Sequence, residues 1–364
     1  MPAWGFSQST DMPREPCPQG RASENPGLPG CHLRSRSLPP SATPSTAMSI
    51  APYLRTIGRG KDGARPLDRE AARTLMALIL DGRVSDLELG GFALAMRIKG
   101  ESPEELAGFV DATMAHTLAL PEPDAAQGPA VLLPSYNGAR KLANLTPLLA
   151  RLLARAGVPV LVHGLLDDPG RVTSAAIFGA MGRQPAIDAD AVQRCWSAGE
   201  PAFMALESLN RPLAGLLAIR RVLGLRNSGH TIAKLLPAVP GALRVVNHTH
   251  PEYAVSLTQF LGDSHADAVL MRGTEGEPVA DARRQPRLQV HLRGARRPDL
   301  DVAPQDGVLI DLPELPASID AESTARWIDQ VIAGERPAPA PIRMQVEALL
   351  AVRRSMVETL ETPG

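Results

Sequence analysis

AVLLPSYNGARKLANLTPLLARLLARAGVPVLV, residues 130–162, contains a short apolar run, a polar loop, a helical segment and a second apolar run. Ala130–Leu133 and Val158–Val162 have the length and composition of buried strands, and Thr146-Pro147 begins a helical pattern that ends at Gly157. A strand, a helix and a strand in this order form a βαβ unit, which requires parallel strands. This stretch therefore predicts an α/β domain.

Beyond residue 162 the chain continues to alternate apolar runs with helical periodicity. A parallel sheet grows by adding such units, because each crossover helix covers one face of the strands that it connects. We therefore predict a mainly parallel sheet with strands at Leu243–Val246, Ala268–Met271, Leu288–Leu292 and Val308–Asp311 and helices at Ala191–Glu207, Leu213–Val222, Ser323–Ala333 and Arg343–Glu358.

The segment before this domain has helical periodicity alone. Asp68, Ser85 and Ser102 each precede apolar residues at three- and four-residue spacing, which is typical of helices that begin at a capping side chain. We predict a small N-terminal helical domain over residues 48–120, with which the helices at residues 191–222 are expected to pack. A proline-rich hinge then leads to the α/β domain, residues 128–350.

Residues 1–47 differ from the rest of the chain in composition. They contain nine prolines, many serines and glycines, and little apolar periodicity. Such a segment buries too little apolar surface to offset the entropy of ordering it, so we interpret it as a disordered tail. Met48 begins a segment of normal globular composition, and an upstream start codon is the simplest explanation of the tail.

The composition excludes several classes of protein. Aromatic residues make up 3% of the 364 residues, which argues against binding of single strands chiefly by base stacking. The net charge is −1, so a site for a polyanion depends on an uneven distribution of charge. Three cysteines without paired spacing exclude a disulfide scaffold and a cysteine zinc site. No apolar run approaches the roughly 18 residues of a membrane helix and no signal pattern is present, so we expect a cytoplasmic protein without a membrane partner.

AMRIKGESPEELAG at residues 95–108, AGVPVLVHG at 156–164, TSAAIFGAMG at 173–182 and RRVLGLR at 220–226 occur in this order. Together they resemble the glycosyltransferase family 3 enzymes, which include anthranilate phosphoribosyltransferase and the pyrimidine nucleoside phosphorylases. The resemblance implies a helical domain joined to an α/β domain, with phosphoribosyl pyrophosphate bound between them. It also implies a homodimer formed through the helical domain.

The chain departs from these enzymes where they bind substrate. Their Gly-Thr-Gly-Gly-Asp loop for pyrophosphate corresponds to Pro134-Ser-Tyr-Asn-Gly138, and their Lys-His-Gly-Asn-Arg loop corresponds to Val162-His-Gly-Leu-Leu166. Proline offers no backbone donor to a phosphate. Pro278 and Val279 stand where the magnesium carboxylates are expected, and a loop ending in Gly-Pro-Leu becomes HTIAKL at residues 230–235. We therefore expect no catalytic residue for phosphoribosyl transfer, no metal and no cofactor.

These departures resemble a catalytically silent branch of the family, the YbiB-type proteins, which bind DNA and RNA with little sequence preference. RNSGHTIAK at residues 226–234 and IGRGKDG at residues 57–63 are the stretches most similar to that branch. The resemblance implies that the partner of this chain is the phosphate backbone of DNA or RNA.

The predicted phosphate site lies on loops that follow parallel strands, where α/β folds bind ligands. Arg140 and Lys141 precede the helix capped by Thr146, whose free amides favour a phosphate. Arg171 precedes a second helix start, and Arg272 follows a predicted strand into the same cleft. Each of these cations has an alternative interpretation as an ordinary solvated surface charge.

Arg226, His230 and Lys234 have four-residue spacing, so on a helix they would share one face and could follow a phosphate backbone. The alternative is a salt-bridged structural helix. The segment Arg283–Arg297 contains six arginines in fifteen residues. It is either a basic hairpin that extends the cleft or a charged edge that discourages aggregation of strands.

Three histidines receive a structural interpretation. His248 and His250 would share one face of an extended segment, but a metal site needs a third ligand and supporting hydrogen bonds, so we predict none. His163 lies in the His-Gly turn, where we expect a buried histidine with its hydrogen bonds made. Cys195 and Trp196 are assigned to the core.

We predict a non-enzymatic protein that binds DNA or RNA through cations in the former substrate cleft. If ~4–8 phosphates are neutralised, affinity falls with salt at a log–log slope of about −4 to −7. The alternative is a phosphoribosyl or glycosyl transferase with a degenerate loop, in which Arg220 occupies the position of a substrate-facing arginine. A scaffold whose helical domain binds protein partners is a third alternative.

Overall fold

The computed structural model describes residues 49–361, so the predicted tail at residues 1–47 lies outside the described residues. Strands β1–β7 span Val131–Ser135, Val160–Gly164, Ala202–Ala205, Leu243–His248, Ala268–Arg272, Leu288–Leu292 and Ala295–Arg296. Helices α1–α8 span Ala51–Ile57, Gly60–Gly63, Arg69–Leu80, Asp86–Lys99, Pro103–Met114, Thr146–Arg155, Ser174–Ala180 and Ala189–Ser197. Helices α9–α15 span Leu206–Leu209, Arg211–Ala218, Arg220–Leu223, Gly229–Leu235, Glu252–Asp263, Ala321–Ala333 and Ala340–Glu361.

The strands form one sheet in the order β3-β2-β1-β4-β5-β6-β7. The pairs from β3 to β5 are parallel, whereas β6 and β7 pair antiparallel at one edge. The βαβ unit predicted from residues 130–162 is β1-α6-β2. An α/β fold with a mainly parallel sheet, preceded by helices, is thereby confirmed.

Both faces of the sheet are buried, as in other parallel sheets. Val131 and Leu133 pack on one face in a cluster with residues of α6, α7, α14 and α15. Leu132, between them, packs on the other face with residues of α3, α5, α10 and α12. Since side chains alternate along a strand, the continuous apolar run of β1 serves two cores.

The three predicted helix starts in the N-terminal part are confirmed. The side chains of Asp68, Ser85 and Ser102 each accept a hydrogen bond from a backbone amide in the first turn of α3, α4 and α5. Gly108 in α5 lets this helix approach α3 closely, since a Cβ at this position would lie 2.2 Å from the backbone oxygen of Arg69.

The helices that follow β3 contact the N-terminal helices directly. The Nδ2 of Asn210 donates to the backbone oxygen of Thr113 and to Oγ1 of Thr117, both at 2.9 Å. The amide of Leu118 donates to the oxygen of Leu209 at 2.8 Å. These bonds fix α9 and α10 against the end of α5.

Two predicted elements are wrong. The helix predicted at Ala191–Glu207 ends at Ser197, because Gly199 adopts a φ of +70° and Pro201 follows, and Ala202–Ala205 then pairs with β2 as an edge strand. Val308–Asp311 forms no strand. Val308 is 57% and Ile310 98% exposed, so these apolar side chains are not packed against the sheet or a helix.

Helix α4 presents large apolar side chains to solvent at Leu87, Leu94 and Ile98. Seven- and four-residue spacing places them on one face of the helix. The homodimer through the helical domain stays a prediction, and this face is available to it. None of the helices between residues 49 and 361 is sufficiently long and apolar to cross a membrane.

Candidate functional site

Two loops meet at the carboxyl edge of the sheet. The β1 loop, residues 136–145, connects β1 to α6, and the acidic loop, residues 273–278, follows β5. Glu277 of the acidic loop is 1% exposed, and its Oε1 accepts hydrogen bonds from the backbone amides of Asn137 and Gly138, both at 2.7 Å. Its Oε2 accepts from the hydroxyls of Ser135 and Thr146. One carboxylate therefore satisfies four donors around the β1 loop.

Glu275 accepts hydrogen bonds from the next part of the same loop. Its Oε2 accepts from the backbone amides of Arg140, Lys141 and Leu142 at 2.8, 3.0 and 3.3 Å. Although partial burial raises the pKa of Glu275, these amide bonds hold it below its usual value. The carboxylate is thus kept ionised.

Gly276 makes this arrangement possible. Its φ is +87°, and a Cβ would lie 1.8 Å from Nδ2 of Asn137, which itself donates to the backbone oxygen of Glu275 at 2.7 Å. A side chain at position 276 would therefore push the two loops apart.

These contacts occupy amides of the loop that precedes α6, and at the start of the helix the amide of Thr146 donates to Oδ1 of Asn144 at 3.1 Å, so these amides are not free as the prediction assumed. The amides of the β1 loop are already bonded to Glu275 and Glu277, and Thr146 uses its hydroxyl for Glu277 and does not cap the helix. The side chains of Arg140 and Lys141 remain exposed. A phosphate at this place would contact those side chains and would have to displace the carboxylates to reach the amides.

Lys234 and Arg226 support the acidic loop from the other side. The Nζ of Lys234 donates to the backbone oxygen of Gly276 at 2.8 Å and to Oδ1 of Asn247 at 2.9 Å. Nη1 of Arg226 donates to Oδ1 of Asn137 at 2.6 Å. Both cations are partly buried and bond to the two loops, so neither is a freely exposed phosphate contact.

The predicted helical face at residues 226–234 is corrected in one respect. Helix α12 begins at Gly229, so Arg226 lies before it, although Arg226, His230 and Lys234 still line one cleft. Burial, reinforced by the neighbouring Arg226, lowers the pKa of His230 to about 3. This histidine is therefore neutral at pH 7 and contributes no positive charge.

Arg171 and Arg220 both repel Arg226, whereas Arg272 lies on a different depression. Nη1 of Arg171 donates to the backbone oxygens of Asn137 and Gly138, at 3.2 and 3.3 Å, so it supports the β1 loop. Arg220 forms an ion pair with Asp168 at 2.5 Å. We predicted that Arg272 points into the cleft of Lys234, but it is exposed on a groove next to that cleft.

This second depression, the arginine groove, has a volume of about 600 Å³ and lies over β5 and the segment that follows the acidic loop. Arg272, Arg284 and Arg287 line it with exposed side chains, and none of them takes part in the ion pairs formed within residues 49–361. Glu275 also lines it and accepts from the backbone amides of Arg140 and Lys141, which places this part of the β1 loop near its rim.

Five of the six arginines in the arginine-rich segment fall into two groups. Arg283, Arg296 and Arg297 pair with Asp281, Asp301 and Asp299 at 3.0, 2.6 and 2.7 Å. Arg284 and Arg287 were not among the predicted site residues, yet they face the groove. Distance to an aspartate along the sequence does not separate the two groups, because Arg284 lies three residues from Asp281 and still forms no ion pair with it.

His163 is buried, as predicted for a structural histidine. Its Nδ1 lies 2.7 Å from the hydroxyl of Tyr136, and the two rings meet edge to face. Burial lowers the pKa of His163 from 6.5 to about 3. Within residues 49–361 no group of histidine, cysteine or carboxylate side chains is arranged to hold a metal ion.

Replacing His163 with glutamine is expected to flatten the dependence of stability on pH. Between pH 6.5 and about 3 the unfolded chain binds a proton at this residue and the folded chain does not. The free energy of unfolding therefore falls as the pH drops, by up to about 1.4 kcal/mol per pH unit for this residue. Urea denaturation at pH 6.5, 5.5 and 4.5 should show a slope smaller by about one proton in His163→Gln. The exposed His250→Gln is the control, and equal slopes in both variants would contradict the assignment.

Comparison with known proteins places this geometry in a family. A profile of the glycosyl transferase family helical bundle domain matches residues 51–117. The chain is 43% identical over 305 residues to the uncharacterized protein YbiB of Escherichia coli K12, covering 83% of this chain and 94% of that protein. It is 30% identical over 307 residues to the anthranilate phosphoribosyltransferase of Methanopyrus kandleri, covering 82% of this chain and 87% of the relative. The chain belongs to the anthranilate phosphoribosyltransferase-like family.

Solved structures of this family share the fold. The Saccharomyces cerevisiae anthranilate phosphoribosyltransferase in complex with PRPP and Mg superimposes with a TM-score of 0.64 at 16% identity, over 84% of this chain and 90% of that one. The Thermus thermophilus enzyme gives 0.61 at 19% identity, over 80% and 91%. At sequence identities of 16% and 19%, these superpositions show a shared fold. In this member of the family, Glu275 and Glu277 are bonded to backbone amides of the β1 loop.

Proposed function

We propose that this protein binds the phosphate backbone of DNA or RNA, without catalysis and largely without sequence preference. The observation that carries the proposal is the arginine groove, in which Arg272, Arg284 and Arg287 are exposed and unpaired within residues 49–361. Unpaired guanidinium groups on a concave surface gain from a phosphate without first giving up a carboxylate partner.

The cations of the groove and its rim come from three different segments of the chain. Arg140 and Lys141 at its rim bring the number of cations to five, contributed by the β1 loop, β5 and the segment before β6. Of the carboxylates that line the groove, Asp281 is paired with Arg283 and Glu275 is bonded to three amides. The field at the groove is therefore positive although the net charge of the chain is −1.

The occupied β1 loop argues against the alternative of phosphoribosyl transfer. In the enzymes that this chain resembles, the corresponding loop is expected to bind pyrophosphate. In this chain the amides of the loop are bonded to Glu275 and Glu277. If the two loops keep this conformation, a pyrophosphate that enters the site meets two carboxylates where it requires hydrogen-bond donors. Magnesium and phosphoribosyl pyrophosphate therefore do not fit this arrangement of bonded carboxylates.

Binding is expected to weaken steeply with salt. Five cations on phosphates give a log–log slope of about −3.5 for a single strand and about −4.5 for a duplex, because each contact releases condensed counterions. Fluorescence anisotropy of labelled 20-nucleotide strands of two unrelated sequences, between 50 and 300 mM NaCl, measures the slope. A slope near −1, or a strong preference for one sequence, would contradict the proposal, and Mg²⁺-dependent consumption of phosphoribosyl pyrophosphate with an aromatic amine would favour the transferase.

A further inference from the structure

The arginine groove also contains two amide side chains that are less exposed than its cations. Gln285 is 9% exposed and Gln289, on β6, is partly buried, whereas the three arginines of the groove are exposed. Gln289 pairs with Leu270 of β5, and both residues line the groove. A ligand that is held by the exposed arginines therefore meets amide groups on its inner side.

The side-chain oxygen of Gln285 is the unused group of this amide. Its Nε2 donates to the backbone oxygen of Pro286 at 2.9 Å, and its backbone oxygen accepts from the amide of Gln305 at 3.0 Å. A carbonyl oxygen only accepts, so the nitrogen of the side chain must face Pro286 and the orientation of the amide is fixed. The Oε1 is buried and has no donor in the described part of the chain. Pro286 and Pro304, which also line the groove, have no N–H group to offer it.

This acceptor indicates what a ligand of the groove must supply. A buried acceptor without a donor is uncommon and costs free energy, so a ligand that donates to it gains more than it would at a solvated oxygen. Gln289 adds a second amide, whose side chain makes no hydrogen bond within residues 49–361. The groove thus combines exposed cations, which suit phosphates, with an inner acceptor, which suits a hydroxyl or amino group.

Two kinds of donor occur in a nucleic-acid strand. Amino groups on the base edges differ from base to base, so contacts with them would favour particular sequences. The 2′-hydroxyl of ribose is present at every nucleotide of RNA, can donate and accept, and is absent from DNA. Since the groove is proposed to bind largely without sequence preference, the 2′-hydroxyl is the donor that suits Oε1 of Gln285.

We propose that the arginine groove selects RNA over DNA, with a ribose 2′-hydroxyl donating to Oε1 of Gln285 while Arg284 and Arg287 hold phosphates. Arg284 directly precedes Gln285 and Arg287 follows two residues later, so one short segment supplies both kinds of contact. The inference rests on the proposed function and adds the class of nucleic acid to it. DNA still binds through its phosphates, but deoxyribose leaves Oε1 without a donor.

Fluorescence anisotropy of the full chain with three labelled 20-nucleotide strands at 100 mM NaCl tests the inference. All three carry only uracil bases, and their sugars are ribose, deoxyribose or 2′-fluoro-deoxyribose. The fluorine keeps a ribose-like sugar conformation but cannot donate, so it separates the hydrogen bond from the shape of the strand. We expect the ribose strand to bind about 5-fold more tightly than either of the others, since one hydrogen bond changes affinity roughly 2- to 12-fold.

Gln285→Leu assigns this difference to a residue, because leucine is of similar size and lacks the oxygen. The preference for the ribose strand over the deoxyribose strand should fall below about 2-fold, the loss expected when that one hydrogen bond is removed. Affinity for the deoxyribose strand should stay nearly unchanged. Gln193→Leu is the matched control, because Gln193 is a partly buried glutamine of α8 outside the groove, and it should keep the full preference.

The preference is a ratio measured in one protein, so a general weakening of the groove in Gln285→Leu does not imitate the expected result. Equal binding of the ribose and deoxyribose strands by the wild type overturns the inference and leaves the proposed function intact. Equal binding of the ribose and 2′-fluoro strands also overturns it, and so does a preference that Gln285→Leu retains. Failure of all three strands to bind would contradict the proposed function itself, and the inference with it.

Discussion

Glu277→Ala is expected to lower the free energy of unfolding by about 3–5 kcal/mol, because it removes the acceptor of four donors and leaves buried cations uncompensated. Glu277 is bonded to two backbone amides and two hydroxyls, and its charge also offsets those of Lys234 and Arg226. Urea denaturation monitored by circular dichroism measures the change. Glu277→Gln, which keeps the shape but loses the charge, should be affected less.

Inorganic pyrophosphate should partly restore the stability of Glu277→Ala. The variant exposes amides that a phosphate can accept from, and a ligand at 100 times its Kd adds about 2.7 kcal/mol. The melting temperature of Glu277→Ala should therefore rise with pyrophosphate, while that of the wild type should not. Glu314→Ala removes an exposed carboxylate paired with Arg336 and serves as the charge-matched control. A variant as stable as the wild type would mean that Glu277 does not organise the β1 loop.

Much of the fold could be predicted from local signals. The caps at Asp68, Ser85 and Ser102 and the apolar runs of β1, β2 and β6 lie close to the observed boundaries. Edge strand β3 was missed because AFMALESL, residues 202–209, has an apolar spacing that also fits a helix, and only its pairing with β2 decides between the two. Long-range pairing of this kind overrides a local pattern.

The candidate site was predicted less completely than the fold. Basic residues at the carboxyl edge of the sheet were identified from the sequence, but Glu275 and Glu277 were considered only as part of a loop that lacks magnesium ligands. Each bonds to residues more than 130 positions away, and local periodicity carries no information about such contacts. One signal was available, since GTEGE directly follows a parallel strand and so had to lie at the same edge as the β1 loop.

These contacts also explain why the buried cations beside the β1 loop are less available to a ligand than the exposed arginines of the arginine groove. The cations nearest to the β1 loop, Arg171, Arg226 and Lys234, donate to the loops and support the carboxylates. Their charges therefore stabilise hydrogen bonds between the two loops inside the protein. Arg272, Arg284 and Arg287 form no direct ion pair within residues 49–361 and their side chains are exposed, although Asp281 and Asp301 attract Arg284 and Arg287 from a distance.

Replacing Arg272, Arg284 and Arg287 together with alanine is expected to weaken binding of a single strand about 100-fold at 100 mM NaCl. If each guanidinium–phosphate contact contributes about 1 kcal/mol, three lost contacts amount to about 3 kcal/mol. The same change should reduce the log–log salt slope by about 2, since each contact with a single strand contributes about 0.7. Fluorescence anisotropy across the salt series measures both quantities on the same samples.

The matched control is the triple variant Arg73→Ala, Arg297→Ala and Arg336→Ala, which changes the net charge by the same amount. These arginines are paired with Glu70, Asp299 and Glu314 and lie outside the groove. If charge acts locally, this variant should lose less than threefold in affinity and keep its slope, because nearby carboxylates already offset each arginine. An equal loss in both variants would show that strands respond to the overall charge of the chain, and the groove would then not be the binding surface. A loss confined to the groove variant, with the slope reduced by the expected amount, would identify these three side chains as direct phosphate contacts.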